Sequence, residues 1–197
     1  MRRVKRQAHR LFIGLVVVLL WPPVAVAVQY NLRHYDTGDG VPQVQVLAVH
    51  QDARGYLWLG TYGGLSRYNG SDFVSFRTRD GLSSNFITAF ATDAADQLWI
   101  GTGSGLCLYS DPGFGCIDHD ALAGARVHAL LAMDEGLWVG SDAGLFHLID
   151  GQVTDHERIP GHEDATVFSL AADGSGRLWV GTSDGLFQRE GGALSGN

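Results

Sequence analysis

The chain has 197 residues, 45% of them apolar, with 27 glycines, two cysteines and a formal charge of −7. That is enough apolar content for one packed core and too much for a disordered tail. The acidic balance disfavours nucleic acid and anionic lipid as partners, and the single lysine, Lys5, lies so near the N-terminus that Schiff-base chemistry is excluded from the body of the chain.

The first 27 residues carry a basic head (Arg2, Arg3, Lys5, Arg6, Arg10), the apolar run from Leu11 to Trp21, Pro22-Pro23 and the small-residue site Ala25-Val26-Ala27. This pattern predicts a secretory signal peptide over residues 1–27, with an uncleaved signal anchor as the alternative. Either way the remaining residues are exported. Without the five basic residues, nine Lys and Arg face twenty-one Asp and Glu, a formal −12.

From residue 28 to 197 the chain repeats itself. Leu57-Trp58-Leu59-Gly60-Thr61 returns as Leu98-Trp99-Ile100-Gly101-Thr102, Leu137-Trp138-Val139-Gly140-Ser141 and Leu178-Trp179-Val180-Gly181-Thr182, the tryptophans 41, 39 and 41 residues apart. A period of about 40 residues marks an array of supersecondary units. An apolar strand precedes each tryptophan strand, and the turn between them opens on Asp52, Asp93, Asp134 or Asp173. A second turn ends in Gly-Leu (Gly64-Leu65, Gly105-Leu106, Gly144-Leu145, Gly185-Leu186), and a third strand, a hairpin and a fourth strand follow.

Four short antiparallel strands per unit, with no sustained helical spacing, predict an all-β chain of β-propeller blades. The blades are expected over about residues 44–77, 85–117, 127–155 and 167–188. Trp58, Trp99, Trp138 and Trp179 should fill the gaps between blades, each costing about 3–5 kcal/mol if cut to Ala, while the motif's Gly and Thr simply lead into the next loop. Residues 30–35 read as an outer strand without its blade, and the last repeat ends in the polar, Gly-rich stretch from Arg189 to Asn197. An N-terminal strand completing the last blade of a closed four-bladed ring would explain both; the other expectation is an incomplete, open propeller.

The pattern D-x-x-G-x-L-W-[IV]-G-T-x-x-G-L, followed by an aromatic residue and Asn69-Gly70, resembles the two-component regulator propeller repeat, found in the extracytoplasmic sensor regions of bacterial hybrid histidine kinases and diguanylate cyclases. The resemblance covers about residues 30–188; the third repeat departs from it, with a shortened first turn and Phe146-His147-Leu148. It implies a seven-bladed propeller followed by a further β-domain, a membrane helix and a cytoplasmic output domain. The expectation is therefore an N-terminal fragment of such a receptor, with a short stand-alone relative as the alternative. It implies a periplasmic location, with membrane attachment only through the N-terminal segment or a missing C-terminal part.

Loop tips on a rigid scaffold are where binding residues collect, so the residues that vary within the repeat are the candidate ligand contacts: Tyr62, Arg79, Asn85, Ser104, Arg126, Asp142 and Asp184. A ring of such side chains could hold a glycan or a peptide; the bland alternative at each position is a solvated loop residue. Cys107 and Cys116 flank the turn at Asp111-Pro112 symmetrically, which allows either a cross-strand disulfide or two buried thiols.

No cofactor is expected. Gly101-Thr102-Gly103-Ser104-Gly105 falls on the repeat and no helix follows it, so it is no dinucleotide loop. The histidines lack metal-ligand spacing, so no metal site is expected either. No nucleophile with a nearby base stands out. The readings that remain are a sensing or binding propeller, an enzyme resembling streptogramin lyase with His128 or His147 as acid or base, and a non-catalytic interaction scaffold. Self-association through a bare blade face would accompany an open array.

Overall fold

The computed structural model describes residues 32–190 and 192–196; the predicted signal segment lies outside them. The strands all belong to one compact unit, His34–Asn197. Blade 1 comprises β1 (Val46–Gln51), β2 (Leu57–Thr61), β3 (Leu65–Tyr68) and β4 (Phe73–Phe76). Blade 2 comprises β5 (Ile87–Thr92), β6 (Leu98–Thr102), β7 (Gly105–Ser110) and β8 (Gly113–Cys116). Blade 3 comprises β9 (Val127–Met133), β10 (Gly136–Ser141), β11 (Gly144–Ile149) and β12 (Gln152–Glu157). Blade 4 comprises β13 (Val167–Ala172), β14 (Leu178–Thr182), β15 (Gly185–Glu190) and β16 (Ala193–Gly196). Each blade is a four-stranded antiparallel sheet in chain order. Among the described residues no helix is long and apolar enough to cross a membrane.

Each blade packs on the next through the second strand. Trp58 shares a core with Leu98, Ile100 and Tyr109 of blade 2, Trp99 with Leu137, Val139 and Phe146 of blade 3, and Trp138 with Leu178, Val180 and Phe187 of blade 4. Alternation along a strand explains this: Trp faces the following blade, while the residues on either side of it face the preceding one. The motif's glycine belongs to the same interface and does more than lead into a loop. A Cβ on Gly60 would lie 2.8 Å from Ile87 Cγ2, on Gly101 2.7 Å from Val127 Cγ1, and on Gly140 2.6 Å from Val167 Cγ1. Each innermost strand thus rests on the bare backbone of the blade before it. The following Thr or Ser closes the turn, its hydroxyl donating to the carbonyl of Gly64, Gly105, Gly144 or Gly185 at 2.8–3.0 Å.

The aspartate opening the first turn is tied to the tryptophan six residues on. Indole N–H groups donate to Asp52, Asp93 and Asp173 at 3.0, 2.8 and 3.1 Å, and the other carboxylate oxygen of each accepts backbone N–H bonds in the turn. Burial pushes the Asp52 carboxyl up, but the Trp58 indole, the Tyr56 and Arg54 N–H groups and the Arg54 charge outweigh it and hold it below the usual carboxylate range. Blade 3 has too short a turn for this arrangement. There Trp138 instead stacks on His147, with centroids 4.1 Å apart, and carries the Arg189 guanidinium 4.7 Å from its ring.

Two expectations change. The described residues 32–35 form no strand, and blade 4 obtains its fourth strand from its own tail: Gly192, at φ 91°, turns the chain so that Ala193–Gly196 pairs with β15. Blade 3 runs on to Glu157. The array is the expected open, incomplete propeller rather than a closed ring: among the described residues the elements in substantial contact lie within one blade or in consecutive blades. Trp58, Trp99 and Trp138 are 0–3% exposed, whereas Trp179 at the open end is only half-buried. Cys107 and Cys116 pair across β7 and β8 and are joined by a disulfide.

Candidate functional site

In every blade the first strand begins, and the second ends, at the same edge, because Val46, Ile87, Val127 and Val167 pair with Thr61, Thr102, Ser141 and Thr182. One residue after each of these pairs the register slips. Leu47, Thr88, His128 and Phe168 are the extra residues, at the same position in all four innermost strands. A bulge turns its side chain out of the ladder, and here consecutive blades bring two such side chains together: His128 meets the edge of Phe168, centroids 5.1 Å apart. Phe168 is 52% exposed, and the Thr88 hydroxyl is buried without a hydrogen-bond partner among the described residues. Burial first, and then the nearby Arg126 charge, push His128 below the ordinary histidine value, against the opposing pull of Asp142, which keeps the ring neutral at neutral pH.

A second layer sits just outside the bulges. Tyr62, in the turn after β2, stacks on Phe86 ahead of β5, with centroids 4.6 Å apart and planes 17° from parallel. The Arg126 guanidinium lies 4.8 Å from the centre of the same Phe86 ring. Arg126 is fixed from behind: its backbone N–H donates to Asp142 Oδ1 at 2.9 Å, and the Asp142 N–H donates back to its carbonyl at 3.1 Å. Blades 1, 2 and 3 therefore contribute to one aromatic and cationic strip with a carboxylate at its end.

The seven residues expected at this edge separate. Tyr62, Arg126 and Asp142 join the strip. Asp184 accepts from His162 Nδ1 at 2.9 Å in blade 4. Asn85 is committed to a turn, its side-chain oxygen accepting the Thr78 N–H at 2.9 Å. Arg79 points into solvent with only an ion pair to Asp80 at 3.7 Å, and Ser104 contributes its backbone N–H to the Thr102 hydroxyl. Phe86 and Phe168 were not foreseen. Phe86 lies in the apolar stretch before the second tryptophan strand, and the bulge that exposes Phe168 leaves no trace in the apolar pattern. Of the two suspected catalytic histidines, His128 lies at this edge whereas His147 lies under Trp138, so they do not converge. Two clefts at the opposite edge are lined by the aspartate turns, one of them by Asp93, Trp99, Asp134, Glu135 and Asp150. Among the described residues no group of His, Cys, Asp and Glu is placed to hold a metal ion.

The profile of the two-component regulator propeller matches residues 40–63, 81–104 and 161–184. No curated protein matches the chain in sequence. Among solved structures, the extracellular domain of the hybrid two-component system BT4673 from B. thetaiotaomicron is 28% identical, with a TM-score of 0.65 over 77% of this chain and 22% of that one. A second structure of that protein gives 0.70 over 85% and 23%. The extracellular domain of BT3049 from the same organism is 22% identical, with a TM-score of 0.64 over 79% and 23%. Virginiamycin B lyase from Staphylococcus aureus shares the fold at 13% identity, with a TM-score of 0.64 over 79% of this chain and 56% of that one. The chain thus spans less than a quarter of the length of the sensor domains that it matches.

Proposed function

We propose, for a chain assembled from two-component regulator propeller repeats, that it is the extracytoplasmic ligand-binding part of a signal-transduction receptor, working in the periplasm after export. The observation that carries this reading is the common bulge, which sets His128 and Phe168 beside the Tyr62, Phe86 and Arg126 strip on one edge. Aromatic faces, a cation and the Asp142 carboxylate suit a ligand with flat apolar faces and hydroxyl or amide groups, such as an oligosaccharide or a short peptide. The Cys107–Cys116 disulfide fits an oxidising compartment. In a receptor, occupancy of this edge would be passed to an output domain.

Thermal melting of the exported protein across panels of glycans and peptides tests the proposal. Saturable stabilisation that Phe168→Ala or Arg126→Ala abolishes supports it. Silence across both panels would favour the interaction scaffold, and turnover of any compound would favour the enzyme reading suggested by the fold of virginiamycin B lyase.

A further inference from the structure

Among the four blade tryptophans, Trp138 stands apart in having no acceptor for its indole N–H within the described residues. In the other blades the tryptophan pairs across the ladder with His50, Ala91 or Ala171, and two residues further on stands the aspartate that accepts the indole, Asp52, Asp93 or Asp173. Trp138 pairs with Leu131, and two residues further on stands Met133, opposite Gly136 across the shortened turn. A thioether thus occupies the place of the carboxylate, and Asp134 follows one residue too late. Trp138 is nevertheless 3% exposed, and an indole N–H so deeply buried ordinarily finds a partner.

Trp138 also lines an open cleft. Between blades 3 and 4, at the edge where the aspartate turns lie, a cleft of about 400 Å³ is bounded by Met133, Glu135, Trp138, Arg177, Leu178 and Arg189. Small-molecule sites run from about 300 to 1,000 Å³. The corresponding clefts between earlier blades are lined by the aspartates themselves, one by Asp52 and the other by Asp93 beside Trp99.

The charges around the cleft narrow what it can hold. Arg189 lies 4.7 Å from the centre of the Trp138 ring and donates through Nε and Nη2 to Glu157 and Asp155, while Arg177 donates through Nε to Asp173. Each guanidinium keeps further N–H groups for a ligand, but its charge is already matched by these carboxylates. Glu135 adds an exposed negative charge that acts on His147, the ring stacked on Trp138. A bare anion would be repelled there, whereas a carboxylate that carries its own ammonium group would not. Met133 and Leu178 supply an apolar wall.

We propose that this cleft binds a small zwitterion of the α-amino acid class. The ligand carboxylate accepts the Trp138 indole N–H, as the chain's own aspartate does in the other blades, and the ammonium group faces Glu135. A charge-assisted bond to a buried donor is among the stronger polar contacts. The site lies at the edge opposite the Tyr62, Phe86 and Arg126 strip and is independent of what that strip holds.

Proton–nitrogen correlation spectra of the exported chain report on the indole directly, the Trp138 peak being assigned by its loss in Trp138→Phe. Among L-alanine, L-leucine, L-glutamine and L-arginine at millimolar concentration, at least one is expected to move that peak saturably, with the same affinity by calorimetry. The amide of that amino acid, which lacks the carboxylate, and its deaminated acid, which lacks the ammonium group, should each bind about tenfold or more weakly. Met133→Asp supplies the acceptor from the chain and should abolish the response, whereas Met133→Leu and Phe168→Ala should keep it. Should Met133→Asp lose its circular dichroism, loss of calorimetric binding in Trp138→Phe carries the test. A Trp138 peak that none of the four amino acids moves would overturn the inference. So would an amide or deaminated acid that binds as tightly as the amino acid, an unchanged response in folded Met133→Asp, or undiminished binding by Trp138→Phe.

Discussion

Replacing Gly140 with alanine tests how the blades are held together. Gly140 lies outside the left-handed region, so alanine is conformationally acceptable there, and by limiting the unfolded chain it would by itself stabilise by about 0.4–1 kcal/mol. The added Cβ, however, would stand 2.6 Å from Val167 Cγ1 and 3.2 Å from the Val167 carbonyl oxygen. Val167 is fully buried and anchored in β13, so relief requires the blades to part, and overpacking of this kind costs about 1–3 kcal/mol. The expected net loss is about 1–2 kcal/mol, or about 2–8 °C in melting temperature for a domain of this size. The comparison is Gly181→Ala, at the same position of the motif in blade 4. There the three nearest atoms to the new methyl all belong to Ser169 of the same blade, and the hydroxyl in closest contact can rotate away, so the change should stay within about 0.5 kcal/mol. Val167→Ala combined with Gly140→Ala should lose less than the sum of the single changes, because each relieves the other. Equal losses at Gly140 and Gly181, or strict additivity with Val167→Ala, would refute the close-approach argument.

Three further outcomes follow from the same structure. Asp93→Ala removes the acceptor for the Trp99 indole and two backbone N–H groups, and should cost about 1.5–3 kcal/mol in denaturant melts; Asp134→Ala in blade 3, where no such bonds form, should change stability by no more than about 0.5 kcal/mol. Burial lowers His50, His128 and His147, opposed at His50 by Asp52 and reinforced at the other two by Arg126 and Arg189. Folding thus favours their neutral forms, so stability is complete above the unfolded value of about 6.5 and falls as the pH drops below it toward the folded values. Melting temperatures from pH 8 to 5 should decline only in the acid half, and less steeply in His147→Phe; a flat profile would contradict the burial argument. Thiol titration in denaturant should find no free thiol before reduction and two after it, and reduction should lower stability by up to about 2–3 kcal/mol, as for a short closed loop.

The blades were legible because each repeat states its turns and its tryptophan in order, and because strand alternation assigns Trp and its neighbours to opposite faces. Even so, the glycine of the motif was misread. Its role depends on how near Ile87, Val127 and Val167 come from the next blade, which no local pattern encodes. Likewise, the aspartate was visible as a turn residue, but its bond to the indole needs the hairpin folded.

At the candidate site, residue identity pointed to Tyr62, Arg126 and Asp142 because they vary where the repeat otherwise holds constant. It pointed equally to Arg79, Asn85 and Ser104, which turn structure or solvent claims instead. Phe86 and Phe168 escaped notice for a physical reason: an apolar residue in or beside an apolar strand looks like core until the structure shows it against another loop, as for Phe86, or turned outward by a one-residue bulge, as for Phe168.

By itself the sequence determined the repeat, its strand order and the turn chemistry, all of which depend on neighbours within a few residues. Only the tertiary structure decided which side chains meet across blades, since those distances arise from residues about 40 positions apart. It was also what revealed that Trp58, Trp99 and Trp138 are sealed between blades while Trp179, in the same local sequence, is only half-buried.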